Sequence, residues 1–118
     1  MVRIEQLAEA ILKGDGLAAR SLVQDFFRES PRLIDIPKPT VDDPYVLAAS
    51  ASLLELFASR LGQVAPAWTK SVGPLSEPVF LLKAATTMKR LRELCETQSP
   101  EPLRKRGFYA PPNYLEFV

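Results

Sequence analysis

The sequence predicts an all-α fold: a small four- to five-helix bundle with an N-terminal helical hairpin, a proline-rich connecting strap and an extended aromatic C-terminal tail. Two observations predict the helices. Apolar residues recur at spacings of three and four, and glycines, prolines and capping acids stand where each helical pattern begins or ends. The composition predicts a single domain, because 118 residues that are 47% hydrophobic suit one modest core.

Residues 1–29 are predicted to form a hairpin of two antiparallel helices. Gly14 is suited to the left-handed position that ends the first helix, and the carboxylate of Asp15 is suited to cap the second, which should end near Arg28. The first helix has one apolar face, formed by Ile4, Leu7, Ala8, Ile11 and Leu12. The second is predicted to turn inward Leu17, Leu22, Val23, Phe26 and Phe27.

Residues 30–43 are predicted to form an extended strap across the helices. Their prolines impose extended conformations on themselves and on the residues before them. The segment is too apolar for a freely solvated linker, although a disordered linker is the alternative. The pair Asp43-Pro44 then predicts the start of a central helix that ends at Gly62. This helix is apolar almost all round, so we expect burial on several sides.

Core helices are predicted over residues 44–98, including a long fourth helix from Ser76 to about Thr97. Its apolar seam consists of Leu81, Ala84, Met88, Leu91 and Cys95. The connector before it carries Trp68, which we interpret either as a lid on the core or as an interface anchor. Residues 99–118 form the extended tail, which holds four of the ten aromatic residues: Phe108, Tyr109, Tyr114 and Phe117.

The residue inventory excludes several kinds of chemistry. The chain has no histidine, which excludes Ser-His-Asp triads, Cys-His pairs and His-ligated metals. Its single cysteine, Cys95, excludes an intramolecular disulfide and is expected in the core. Phosphate-binding loops and the nucleophile elbow are absent from the sequence. We therefore expect a protein that is not an enzyme and that has neither cofactor nor metal.

One carboxylate stands out, because Glu55 lies in the most apolar helix. A buried carboxyl with a raised pKa can transfer protons, which would place a small-ligand site or an enzyme around Glu55. The ordinary interpretation is a carboxylate on the exposed or small face of the helix, paired with Arg60 or Lys70.

The net charge of +1 conceals a basic stretch. Residues 83–106 carry seven basic and three acidic groups. Such a stretch can contact phosphates while the tail aromatics stack on unpaired bases, or it can pair with an acidic protein surface. The total charge is far from that of a strongly basic nucleic-acid-binding domain.

Three stretches carry a family resemblance: Pro66-Ala67-Trp68-Thr69, Glu77 to Leu81 leading into Met88 to Arg92, and Ser99 to Phe108 continuing into Ala110 to Leu115. Over roughly residues 66–115 the chain resembles a group of small, uncharacterised bacterial helical proteins encoded near nucleotidyltransferase-like toxins. Its ending of proline, basic cluster, glycine and aromatic residue also resembles the C-terminal parts of some antitoxins. The resemblance implies an antitoxin-like, partner-binding role and no catalytic residues.

The sequence therefore predicts a protein-interaction module whose partner is a toxin-like protein or a second copy of the chain. The residues expected to contact that partner are Trp68, Arg90, Arg104, Lys105, Arg106, Phe108, Tyr109 and Tyr114. The alternative is a nucleic-acid-binding accessory protein that uses the basic stretch and the tail aromatics.

The expected location is the cytoplasm, with no membrane partner. The N-terminal residues are charged and amphipathic, unlike the apolar core of a signal peptide. The most apolar stretch, Tyr45 to Leu61, is short and polar for a bilayer span.

Overall fold

The predicted hairpin is present in the computed structural model, which describes residues 2–29 and 32–115. Helix α1 (Ile4–Lys13) ends at Gly14, whose φ of 72° is left-handed as expected. Helix α2 (Gly16–Arg28) begins after Asp15, whose carboxylate accepts the Ala18 N–H at 3.0 Å. Both local signals at the turn are therefore confirmed.

The expectation that Leu17 faces inward is wrong, because this side chain is 85% exposed. The buried residues of α2 are Ala19, Val23 and Phe26. At helical spacing these three share one side of the helix, and Leu17 lies on the opposite side. The buried face of α2 is accordingly narrower than the set of five inward-facing residues that the sequence predicts.

The strap lies along the helices and turns several apolar residues inward. From Arg32 on, it contains a 3-10 turn (Leu33–Asp35) and then continues without helix or strand to Asp43. Leu33 and Pro39 are buried, and Ile36 between them is half-buried against the core. Val41 is also half-buried against the core, so the strap contributes apolar side chains to the core along most of its length.

Helix α3 (Pro44–Leu61) is the central helix, as predicted. The Asp43 carboxylate accepts the Tyr45 N–H at 2.8 Å, and Gly62 ends the helix with a φ of 67°. Helix α1, the 3-10 turn Ala67–Ser71 and the C-terminal part of the chain all pack against α3. Because neighbours cover it on several sides, α3 is buried over most of its surface.

The prediction of a long fourth helix is wrong for the first half of that helix. Strand β1 (Val79–Phe80), a 3-10 turn (Lys83–Thr86) and helix α4 (Lys89–Gln98) divide the segment. The N–H groups of Val79 and Leu81 donate to carbonyls of the C-terminal segment at 2.8 and 3.0 Å, so pairing with a distant strand replaces local helix formation. In the predicted seam, Leu81 and Cys95 are buried, Leu91 is half-buried, and Ala84 and Met88 are exposed.

The C-terminal segment is folded onto the bundle and is not extended throughout. Helix α5 (Glu101–Arg104) is followed by strand β2 (Phe108–Tyr109), which pairs in parallel with β1 so that Val79 lies opposite Phe108. The buried side chains of this segment include Leu103, Phe108, Ala110 and Leu115. Phe117, counted among the tail aromatics, lies outside the described residues.

Alanine substitutions at two glycines test the helix ends. At Gly62 the left-handed φ is unfavourable for any residue with a Cβ, so Gly62→Ala should lower the free energy of unfolding by about 1 kcal/mol. Gly16 begins α2, and a Cβ added there would meet no atom within 4 Å, so Gly16→Ala should be neutral or slightly stabilising. Urea unfolding measures both, and equal effects of the two substitutions would contradict the assignment of Gly62 as a helix-ending residue.

Candidate functional site

A buried guanidinium connects three segments of the chain. The Arg106 side chain is 3% exposed, and its Nη1 donates to Glu55 on α3. Its Nη2 donates to the Thr69 carbonyl at 2.6 Å, and its Nε donates to the Val72 carbonyl at 3.2 Å. A longer contact of 3.4 Å reaches the Pro102 carbonyl in α5. These contacts reach α3, the turn after it and α5, so the Arg106 side chain fixes the positions of these three segments relative to one another.

The backbone around Arg106 is held as firmly as its side chain. The Arg106 carbonyl accepts the Leu75 N–H at 3.0 Å, and the Gly107 carbonyl accepts the Val79 N–H at 2.8 Å. Gly107 has a φ of 92°, a left-handed conformation that favours glycine. The glycine thus allows the chain to turn from α5 into β2 immediately after the arginine.

Glu55 is a largely buried carboxylate with two cationic partners. Its side chain is 13% exposed, and the oxygen that accepts from Arg106 also lies 3.0 Å from Lys105 Nζ. Burial alone raises the pKa of Glu55, but the hydrogen bonds and charges of Arg106 and Lys105 outweigh burial and hold the pKa below its ordinary value. The shift is opposite to the raised pKa that a proton-transferring carboxyl requires. The sequence suggested Arg60 or Lys70 as the partner of Glu55, and the structure places Lys105 and Arg106 there.

Several residues expected to contact a partner are used inside the chain. Arg106 is buried as described, and Phe108 is fully buried in the core. Trp68 is half-buried, with its indole N–H donating to the Ile36 carbonyl at 2.8 Å. Tyr114 is also half-buried, and burial raises the pKa of its hydroxyl. These contacts give the four residues roles in the fold of the chain itself.

The remaining predicted contact residues are accessible. Arg90, Arg104 and Lys105 are exposed, and Lys105 pairs with Glu55. Tyr109 is half-buried, and its ring stacks on Phe80 at a centroid distance of 5.4 Å.

The basic stretch is partly neutralised within the chain. Arg92 pairs with Glu96 at 3.0 Å, and both Lys105 and Arg106 are paired with Glu55. The structure therefore does not bring Arg104, Lys105, Arg106, Phe108 and Tyr109 together as one open surface for nucleic acid.

Cys95 is a core residue, as expected. Its side chain is fully buried, and burial, with the neighbouring charge of Glu96, raises the pKa of the thiol. Among residues 2–29 and 32–115, no group of three or more acidic, cysteine or histidine side chains is placed to hold a metal ion. In that same part of the chain, no helix has the length and apolar character needed to cross a membrane.

Sequence reasoning missed the way in which two hydrogen bonds fasten the strap to the segment after α3. The Leu33 N–H donates to Gln63 Oε1 at 3.1 Å, and the Trp68 indole bonds the Ile36 carbonyl. Residues 33–36 and 63–68 are therefore neighbouring segments, and Ile34, Val64 and Trp68 belong to them.

We use the name α3-end patch for the three exposed apolar residues of these segments and of the adjoining end of α3, together with the half-buried tryptophan: Ile34, Leu61, Val64 and Trp68. The first three side chains are 49%, 47% and 68% exposed, respectively. The sequence does contain a signal for this patch. Gly62 ends α3 between two large apolar residues, Leu61 and Val64, and both of them are exposed. Because the end of the helix already explains Gly62, the sequence alone gives no reason to expect exposed apolar residues on either side of it.

Comparison with known proteins adds no relative: no family model, no curated protein and no solved structure matches the chain.

Replacing Arg106 tests its structural role. Arg106→Met leaves the Glu55 carboxylate and two backbone carbonyls without their buried donor, so the free energy of unfolding should fall by about 3 kcal/mol or more. The control Arg104→Met changes the same charge at an exposed position and should cost no more than about 0.5 kcal/mol. Denaturant unfolding provides the comparison, and similar losses in the two variants would contradict the central role of Arg106.

Acidification tests the lowered pKa of Glu55. Its ion pairs stabilise the fold fully above the ordinary pKa of 4.5, and this stability is lost as the pH falls through the lower pKa of the folded state. The wild type should therefore lose stability more steeply than Glu55→Gln between about pH 6 and pH 3. Urea unfolding across that range measures the two slopes, and identical slopes would show that Glu55 does not contribute.

Proposed function

We propose that the protein is a non-enzymatic protein-interaction module of the cytoplasm and that its partner docks on the α3-end patch. The observation that carries this proposal is that the exposed Ile34, Leu61 and Val64 and the half-buried Trp68 belong to neighbouring segments at the end of α3. Exposed apolar side chains that cluster, unlike scattered ones, are typical of interaction sites. Tryptophan is among the residues that contribute most to binding energy at such sites.

The arrangement of the patch supports binding with little loss of conformational freedom. Trp68 is held by its bond to the Ile36 carbonyl, and the strap beneath Ile34 is fixed at Leu33. Side chains that are already ordered in the free protein lose less entropy on association. The patch is therefore preorganised for a partner.

The partner that we propose is a nucleotidyltransferase-type toxin, with the chain in an antitoxin-like role. The support for this partner class is the resemblance of residues 66–115, which include Trp68. Arg90, Arg104 and Lys105 are exposed, and their positive charge favours encounter with an acidic surface. Arg106 and Phe108 have no part in the proposed contact, since both are buried.

A charge placed in the patch should weaken partner binding strongly. Val64→Glu introduces a carboxylate at the most exposed position of the patch and should weaken binding by about thirtyfold, which corresponds to the loss of a strong apolar contact. The matched control is Leu17→Glu, because Leu17 is an equally apolar and still more exposed residue outside the patch. Affinity purification of the tagged chain from its native host, followed by titration with the purified partner, compares the two variants.

Three outcomes decide the proposal. A toxin-like partner retained by the wild type and Leu17→Glu but lost by Val64→Glu supports it. A wild-type chain without a stable partner, or equal retention by both variants, contradicts it. A homodimer that Val64→Glu dissociates would replace the toxin with a second copy of the chain.

A further inference from the structure

We propose that a pocket beside Glu55, Lys105 and Arg106 is a binding site for a small oxyanion, a carboxylate or phosphate group carried on a compact molecule. The pocket lies between α3 and α5 and has a volume of about 370 Å³. Its lining includes Leu56, Ser59, Arg60, Glu101 and Lys105, together with three prolines. Volumes of about 300 to 1,000 Å³ are typical of small-molecule sites.

The first argument is the sharing of one carboxylate by two cations. Lys105 Nζ and Arg106 Nη1 both contact the same oxygen of Glu55. The Arg106 side chain is 3% exposed and also serves backbone carbonyls, whereas the Lys105 side chain is 47% exposed and lines the pocket. The surplus positive charge is therefore located at Lys105, where a ligand can reach it.

The second argument is the balance of charge around the whole pocket. The two other ionisable residues in the lining, Arg60 and Glu101, have opposite signs. Together with Glu55, Lys105 and Arg106, these side chains make a set of five that carries one excess positive charge. Charges near a protein surface interact more strongly than charges in bulk water, so this excess favours an anion in the pocket.

The third argument is the nature of the walls. Pro100, Pro102 and Pro112 line the pocket with rigid rings and have no backbone N–H, and Leu56 adds a buried apolar side chain. The side chains of the lining that can donate to an anion are the Lys105 ammonium, the Arg60 guanidinium and the Ser59 hydroxyl. Such walls fit a compact molecule with a short apolar part next to its anionic group.

The site is separate from the proposed protein interface. None of the four residues of the α3-end patch lines this pocket. Lys105 is the one residue used in both proposals, so Val64→Glu and Ser59→Phe, which both keep Lys105, distinguish the failure of one proposal from the failure of the other.

A titration with inorganic phosphate and with acetate tests the site. In a low-salt buffer that contains neither anion, backbone amide resonances of Leu56, Ser59 and Glu101 should shift saturably for at least one of them. Lys105→Met should weaken that binding by about tenfold, since it removes a charge-assisted hydrogen bond. Arg104→Met is the control, because it removes the same charge from an exposed neighbour that does not line the pocket.

A second variant keeps the charge of Lys105 and fills the pocket. Ser59→Phe should fill the pocket and abolish the saturable shifts while the ion pairs of Glu55 remain, which gives an answer even if Lys105→Met is poorly folded. Saturable binding that is lost in Ser59→Phe and kept in Arg104→Met supports the proposal. Shifts that do not saturate with either anion overturn it, as does equal weakening by Lys105→Met and Arg104→Met.

Discussion

The buried guanidinium of Arg106 is the constraint on which the C-terminal half of the structure depends. Transfer of an ionised group out of water costs several kcal/mol unless it is paired and hydrogen-bonded. Arg106 meets this requirement with the Glu55 carboxylate and the carbonyls of Thr69 and Val72. These groups belong to different segments, so satisfying one side chain places α3, the turn after it and α5 relative to one another.

Local and long-range features differ in how far the sequence predicts them. The turn at Gly14 and the caps at Asp15 and Asp43 depend on a few neighbouring residues, and each was predictable from them. The pair between Arg106 and Glu55 spans 51 positions, and no spacing rule links them. The same holds for the pairing of β1 with β2, which overrides a helical pattern in residues 79–88 that is locally convincing.

The candidate site shows the same division. The sequence analysis predicted that basic and aromatic residues of the tail form a contact surface. However, a basic residue is equally suited to pair with a carboxylate inside the protein, and an aromatic residue is equally suited to pack in the core. Arg106 and Phe108 serve these internal purposes. The exposed apolar surface comes instead from Leu61 and Val64, on either side of a glycine that ends α3, and from a strap that brings Ile34 beside them.

The attachment of the strap has a consequence for how its length can vary. Leu33 and Ile36 are both fastened to the segment after α3, through Gln63 and Trp68 respectively. A deletion or insertion between Leu33 and Ile36 disrupts one of these two bonds, whereas a change of length after Ile36 leaves both in place. The first part of the strap is thus more restricted in length than ordinary surface loops are.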